Sequence, residues 1–305
     1  MGKSIIKRAI STDGGIRIIF CDSTEIVRES CRLHHTSKTM TAVLGRALTA
    51  TSLMSSLLKD KDNTLTFRLN GDGPCGNVVC VGDYMGNVRG YADDMTVELP
   101  PNAQGKLDVG GAVGGGSMYV IKDLGMNDPY VGVSNIVSGE IAEDVTNYFA
   151  NSEQTPTVCA LGVRVDNDNM CFAAGGYLVQ LMPGYEESDV ERIETNVNMA
   201  GSVSKQIADG MTGDEIIAML FDGIEFEMFD EFDVEYRCNC ERERYLRALV
   251  GLNEADYEEL HESGKPVEAA CLFCGKKYSF ELSEIDEARK AAKEAKLEKE
   301  NTQDE

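Results

Sequence analysis

Tryptophan is absent from the 305 residues, histidine occurs three times and proline seven times. Three histidines (His34, His35, His261) leave little material for an imidazole-based catalytic centre. Neither H-E-x-x-H nor G-x-S-x-G occurs. The glycines of Gly110-Gly111 and Gly114-Gly115-Gly116 fit no dinucleotide or P-loop register, so a nucleotide cradle is unsupported. No apolar run reaches the length needed to span a bilayer. The N-terminal MGKSIIKRAIS has basic residues but neither the apolar h-region nor the small-residue cleavage site of a secretory signal. The chain is therefore expected in the cytoplasm. Positive charge is also scarce: 29 Lys+Arg stand against 52 Asp+Glu, a formal net charge of -23. Such an excess repels a polyphosphate backbone and an anionic membrane surface. Neither nucleic acid nor a membrane is expected as a partner, and these absences leave nothing on which to build an enzyme.

What is present is enough apolar material for a substantial core, 42% of the chain, and ten cysteines. A reducing compartment does not sustain a structural disulfide framework, so ten thiols need another explanation. Residues 1–182 have the texture of one α+β domain. Ile16–Phe20 is strand-like. Ser37 is placed to cap a long helix whose Met40, Val43, Leu44, Ala47, Met54, Leu57 and Leu58 fall on one face. Strand-sized pieces at Leu65–Asn70, Asn77–Val81 and Asn87–Tyr91 suggest an antiparallel meander. Further strands are expected at Met118–Lys122 and Val158–Val165, with a helix around Ile141–Phe149. Residues 183–235 form a different segment, an amphipathic acidic linker. It carries narrow apolar stripes (Val190, Ile193, Val197, then Val203, Ile207, Met211), a capping box opening at Thr212, and seven acids without a base in 222–235, where Ile224, Phe226 and Met228 alternate with acids as in an exposed strand. Residues 236–285 hold four cysteines, and 286–305 read as a charged, solvated tail; Ser283, just before it, is placed to cap a terminal helix in which Asp286–Lys290, Lys290–Glu294 and Lys296–Glu300 fall at i,i+4 spacing.

The four cysteines are the strongest signal. Cys238-Asn-Cys240 and Cys271-Leu-Phe-Cys274 are two close pairs 30 residues apart, as a tetrahedral Zn²⁺ site requires when each pair supplies two corners. Gly275 allows the positive φ that turns backbone N–H groups toward the sulfurs. The C-x-C pair is unusual for a structural zinc site. A disulfide across it would be strained and readily reduced again, which suits a reversible switch. Oxidation also consumes thiolate ligands, so disulfides and metal exclude each other. Arg237, Arg242 and Arg244 flank the pair and are expected to favour thiolate. Cys21, Cys31, Cys75, Cys80, Cys159 and Cys171 have no ligand spacing and read as small buried hydrophobes.

These residues resemble the heat shock protein 33 kDa family, the redox-regulated holdase chaperonins of the bacterial cytoplasm. The similarity rests first on Cys238-Asn-Cys240-Glu-Arg-Glu-Arg and Cys271-Leu-Phe-Cys274-Gly-Lys-Lys-Tyr. It extends through Ala42-Val-Leu-Gly-Arg46, Lys122-Asp-Leu-Gly125, Ser138-Gly-Glu-Ile-Ala-Glu-Asp144, Ser152-Glu-Gln154 and Ala174-Gly-Gly-Tyr-Leu-Val-Gln-Leu-Met-Pro183. The resemblance implies an α+β N-terminal domain, a helical linker and a small C-terminal zinc-binding redox-switch domain. It implies one Zn²⁺ per chain held by Cys238, Cys240, Cys271 and Cys274 in an inactive reduced state. Oxidation would form Cys238–Cys240 and Cys271–Cys274, unfold switch and linker, and give a homodimer that holds unfolding client proteins without ATP. Val190, Ile193, Val197, Val203, Ile207 and Met211 are then the candidates for client contact, although the same positions suit core-facing helix residues. Two other functions are weighed against this one. A zinc module that docks nucleic acid or protein is disfavoured by the charge. A thiol–disulfide oxidoreductase is disfavoured because a Gly-Lys-Lys turn follows Cys274 where a helix start is needed.

Overall fold

In the computed structural model, residues 2–303 are described, with side chains placed as far as residue 294. The contacts divide the chain into two units, Met1–Arg237 and Cys238–Glu305. The first opens with β1 (Ser4–Ser11), β2 (Ile16–Asp22), α1 (Thr24–His34) and α2 (Lys38–Ser55). It continues with β3 (Thr64–Gly71), β4 (Asn77–Asp83), β5 (Val88–Ala92), α3 (Val109–Val113), β6 (Gly116–Asp123) and β7 (Tyr130–Ile136). Then follow α4 (Ala142–Asn151), β8 (Thr157–Val165), β9 (Cys171–Leu181), α5 (Glu187–Ala200), α6 (Val203–Ala208), α7 (Gly213–Leu220) and β10 (Phe226–Val234). Two five-stranded sheets result, ordered β10-β1-β2-β9-β8 and β5-β4-β3-β6-β7, and every pairing in them is antiparallel. The expected meander is β5-β4-β3, and the fold class is α+β.

Helix α2 departs from its expected pattern. It packs against strands of both sheets, and every residue except Lys38 and Arg46 is buried. A helix enclosed on all sides has no solvent stripe, so its remaining faces are filled by small hydroxyls that bond within the helix. Thr49 donates to the Gly45 carbonyl and Thr51 to that of Ala47, both at 2.7 Å. Ser37 caps the helix as expected, accepting from the Met40 N–H at 3.0 Å. The main core forms around α2 from Ile6, Ile19, Leu65, Phe67, Val120 and Leu178. The Gly-rich stretch around α3 is a packing feature: a Cβ at Gly110 would lie 2.7 Å from the Ser138 carbonyl oxygen, and one at Gly116 2.2 Å from that of Asn70.

The segment 183–235 folds onto the first sheet. Ile193 and Val203 are buried, and Val197, Ile207 and Met211 pack with them against Ile16, Ile18, Phe20, Tyr177 and Val179. Val190 lies beside Val158, Val179 and Leu181 in a shallow depression. All six apolar candidates thus face protein in this state. The Thr212 capping box forms, with Glu215 returning a 2.7 Å bond to the Thr212 N–H. The alternating acidic stretch becomes edge strand β10 on β1, and three of its acids have partners there: Lys3–Asp233, Lys7–Glu231 and Arg8–Asp230. Among the described residues no helix is long and apolar enough to cross a membrane.

The second unit comprises α8 (Arg242–Val250), α9 (Glu254–Ser263), β11 (Val267–Ala270), β12 (Lys277–Phe280) and α10 (Leu282–Gln303). β11 and β12 form an antiparallel hairpin. Phe280, Ile285 and Tyr278 make its small core, lined by Tyr245, Leu246, Leu249, Tyr257 and Val267. The terminal helix begins before Ser283, so that residue is not its cap. Ile285 and Arg289 are buried in this unit, which gives the start of the charged tail a packed face. The expected Lys296–Glu300 pair lies outside the residues whose side chains are described.

Candidate metal centre

The first cysteine pair enters the unit just ahead of α8, and the second sits in the turn between β11 and β12. That turn is set by two backbone bonds: Gly275 N–H to the Cys271 carbonyl at 2.8 Å, and Cys271 N–H to the Lys276 carbonyl at 2.9 Å. Gly275 takes φ 70°, the conformation expected from its position after the motif. The hairpin thus closes around Cys271 and Cys274 and presents both sulfurs to the first pair.

All four Sγ atoms lie within 4.8 Å of one another. Cys238 and Cys271 sulfurs are 3.7 Å apart, and those of Cys240 and Cys274 are 3.5 Å apart. Zinc–sulfur bonds of about 2.3 Å in a tetrahedron give sulfur–sulfur edges of about 3.8 Å. The chemistry of the donor set and its spacing therefore fit Zn²⁺. All ten cysteines are free thiols. Among the described residues this is the one group of three or more His, Cys, Asp or Glu side chains close enough to hold a metal.

The thiols are not equivalent. Burial pushes Cys238 and Cys274 up. For Cys271 burial also raises the pKa, but bonds from Tyr245, the Phe273 and Cys274 N–H groups and the Cys238 thiol outweigh it and bring it down to about 7. Four sulfurs in so small a volume cannot all ionise without a cation, because each thiolate raises the cost of the next. A divalent ion removes that conflict.

The surrounding groups were only partly foreseen. The Tyr278 hydroxyl lies 3.0 Å from the Cys240 carbonyl oxygen and 3.3 Å from its sulfur. The Tyr245 and Tyr278 rings lie 5.1 Å apart, tilted by 33°, so two tyrosines line the sulfur cluster. Tyr278 closes the quoted Cys271-Leu-Phe-Cys274-Gly-Lys-Lys-Tyr motif, without a role assigned to it there, whereas Tyr245 lies just beyond the first motif and carries no separate signal. Two of the three flanking arginines are engaged elsewhere. Arg242 forms a forked pair with Glu284, 2.6 Å in one arm, and lies 4.3 Å over the Phe280 ring. Arg237 donates to Glu235 at 2.7 Å. The remaining cysteines are buried, as expected, and burial raises the thiols of Cys21, Cys80, Cys159 and Cys171, with Cys75 pushed up to about 11. His34 bonds the Tyr236 hydroxyl at 3.2 Å, and exposed His261 pairs with Asp286 at 2.8 Å.

A family profile described as "Hsp33 protein" matches residues 4–281. The chain belongs to the Hsp33 family. Relatives carry the name 33 kDa chaperonin: that of Symbiobacterium thermophilum is 42% identical over 94% of this chain and 97% of its own length. That of Ruminiclostridium cellulolyticum is 43% identical over the same shares. The crystal structure of the 33 kDa chaperonin (heat shock protein 33 homolog) from Thermotoga maritima superposes with a TM-score of 0.88 at 34% identity, covering 96% of this chain and all of that one. The α+β architecture is thus that of a solved Hsp33 homologue, and membership makes the chain one of a family of chaperonins.

Proposed function

We propose that this Hsp33-family chain is a redox-regulated, ATP-independent holdase of the cytoplasm, inactive when reduced and zinc-bound and activated by oxidation. The observation that carries this is the convergence of Cys238, Cys240, Cys271 and Cys274 on one point at zinc-site spacing, inside a unit with a small core. Bound Zn²⁺ would tie the two cysteine motifs together and contribute folding free energy to that unit. The proposed disulfides are Cys238–Cys240 and Cys271–Cys274. For each, two thiols and one hydrogen peroxide give one disulfide and two waters, so the sulfurs lose two electrons per bond. Sulfur committed to a disulfide no longer serves as a thiolate ligand, and the unit loses what joins its two halves.

The client surface would come from apolar side chains now turned inward. Val190, Ile193, Val197, Val203, Ile207 and Met211 cover the first sheet from helices rich in exposed acids, and release of those helices would offer them to unfolding proteins. The oxidised chain is proposed to act as a homodimer. No chemical transformation of the client is needed.

A combined zinc and thiol count tests this. Peroxide at elevated temperature should release one zinc per chain, remove four titratable thiols, and switch on suppression of aggregation of a thermally unfolding reporter protein. Full activity with all four cysteines still reduced and zinc-bound would overturn it.

A further inference from the structure

Strand β10 is the outermost strand of the first sheet, and the side chains of its middle, residues 227–231, anchor it weakly. Of Phe-Glu-Met-Phe-Asp-Glu-Phe-Asp-Val only Val234 is buried, while Met228 and Phe229 are exposed. It is held by backbone pairing to β1, from Ser4 opposite Val234 to Ser11 opposite Phe226, by apolar contacts near its two ends, where Phe226 stacks on Phe221 at 4.7 Å and Phe232 and Val234 pack with the main core, and between them by charge. Lys3 pairs with Asp233, Lys7 with Glu231 at 2.8 Å, and Arg8 with Asp230 at 3.2 Å. The Arg8 guanidinium also lies 5.0 Å from the Phe232 ring centroid. The Lys7 side chain is only 9% exposed and reaches a second carboxylate, Asp214, at 2.9 Å.

Removing β10 would leave a demanding edge. β1 would present a row of unpaired N–H and C=O groups. It would also present three cations, one of them largely desolvated and with half its counter-charge gone. Both deficits are met by an extended segment that supplies backbone groups and carboxylates together.

We propose that β10 is a built-in occupant of a peptide-binding edge, and that β1, once β10 has left it, takes extended client segments in which aromatic or aliphatic residues alternate with Asp and Glu. This rests on the holdase function above and names the chemistry of its clients. A tethered strand has an effective concentration in roughly the millimolar range, so a free segment of equal intrinsic affinity cannot displace it while its flank is pinned. The flank is pinned by the Val88 N–H on the Glu235 carbonyl at 3.0 Å, the Arg237 N–H on the Val88 carbonyl at 2.8 Å, and Tyr236 bonded to Gly90. The chain then runs directly into Cys238. Loosening the chain beyond Arg237 removes a restraint on that flank and lets clients compete.

The test is a titration of the full-length protein with a fluorescein-labelled synthetic peptide of residues 225–236, read by anisotropy. The peptide should bind peroxide-treated, zinc-released protein at least tenfold more tightly than reduced protein, and more weakly as salt rises. A second peptide carrying Asp230→Lys, Glu231→Lys and Asp233→Lys should bind the oxidised protein at least tenfold more weakly; changing the peptide leaves protein folding untouched. On the protein side, Lys3→Glu at an exposed position should weaken the native peptide severalfold and be rescued by a peptide carrying Asp233→Lys alone. Equal affinity for acidic and lysine peptides, or no coupling in the Lys3→Glu cycle, overturns the proposal. So does absence of peptide binding by protein that has released zinc and suppresses aggregation, a result that leaves the holdase function standing. A dimer by sedimentation that binds no peptide would assign the edge to a second copy of β10 and equally overturn it. If zinc is released without chaperone activity, the holdase function fails, and peptide affinity still decides what the β1 edge binds.

Discussion

Tyr278 touches the sulfur cluster without belonging to it. Its hydroxyl reaches both the carbonyl oxygen and the sulfur of Cys240, so it fixes one ligand's backbone and offers a donor to that ligand's thiolate. Groups that orient ligands in this way usually change metal affinity by about 10–100-fold when removed. Tyr278→Phe keeps the ring in its core and deletes only the hydroxyl. It should weaken zinc binding by about tenfold, measured by competition with a chromogenic chelator, with little change in the circular dichroism of the zinc-loaded protein. Three carboxylates in the same unit make a pH prediction. Glu254 is lowered by bonding to Arg289, Glu284 by Arg242, and Asp286 by the Tyr257 hydroxyl and then His261. A carboxylate with a depressed folded pKa stabilises fully above its ordinary value, here 4.5 for Glu and 3.8 for Asp, and loses that contribution as pH falls through the depressed one. Between about pH 5 and 7 these groups contribute a constant amount. Glu284→Gln should therefore lower the urea midpoint of this unit without altering its slope against pH in that range, and reduce the acid-side loss below it. The four cysteines were legible because ligand spacing is a local property of the chain. Tyr278 stands in the second motif, but its role, like that of Glu284, was not legible, since both depend on which strand or helix folds against the cysteines.

Helix α2 shows what a local pattern conveys and where it stops. Its start was legible from Ser37, because an N-cap acts within one turn. Its burial on every side was not, because two sheets assembled from distant segments decide it. Gly45 sits mid-helix, where alanine normally stabilises by about 1 kcal/mol. Here a Cβ would lie 2.9 Å from methyl groups of both Val163 and Val27, two stiff β-branched side chains from different elements. Overpacking of that kind costs typically about 1–3 kcal/mol, which outweighs the propensity gain. Gly45→Ala should thus destabilise the first unit, lowering its thermal midpoint; a rise would show that α1 and β8 can move apart at this point. β10 was half legible. Alternation of Ile224, Phe226 and Met228 with acids marks a strand, yet its partner β1 lies more than 200 residues away and was seen only as a basic N-terminal stretch. The matching of Lys3, Lys7 and Arg8 to Asp233, Glu231 and Asp230 becomes visible only once the register is known. Likewise, Asp144 was quoted in a matching motif, but its work is structural. Fully buried, it accepts the N–H groups of Val137, Ser138 and Ile141 at 2.6, 3.1 and 3.0 Å and holds Ile141 at φ 66°.

At the scale of the molecule the two units differ in what holds them folded. The first has a large core around α2 and a second cluster beneath α5, α6 and α7. The second runs from Cys238 to Glu305, and neither α8 nor α9 contains a buried residue. Below roughly 70–80 residues a single core rarely supplies more than about 3–5 kcal/mol, and a core of Tyr278, Phe280 and Ile285 is small even for that size. A structural zinc site adds an apparent 10–16 kcal/mol or so near neutral pH. Folding of the second unit should therefore depend on metal, whereas folding of the first should not. Under strong reductant, where no disulfide can form, a tight zinc chelator should abolish hydrogen-exchange protection across β11, β12 and α8. The amides of α2, β2 and β9 should keep theirs, and added zinc should restore the rest. Protection retained in β11 and β12 without metal would show that apolar packing alone folds this unit. The cysteines would then have no structural leverage through which oxidation could act.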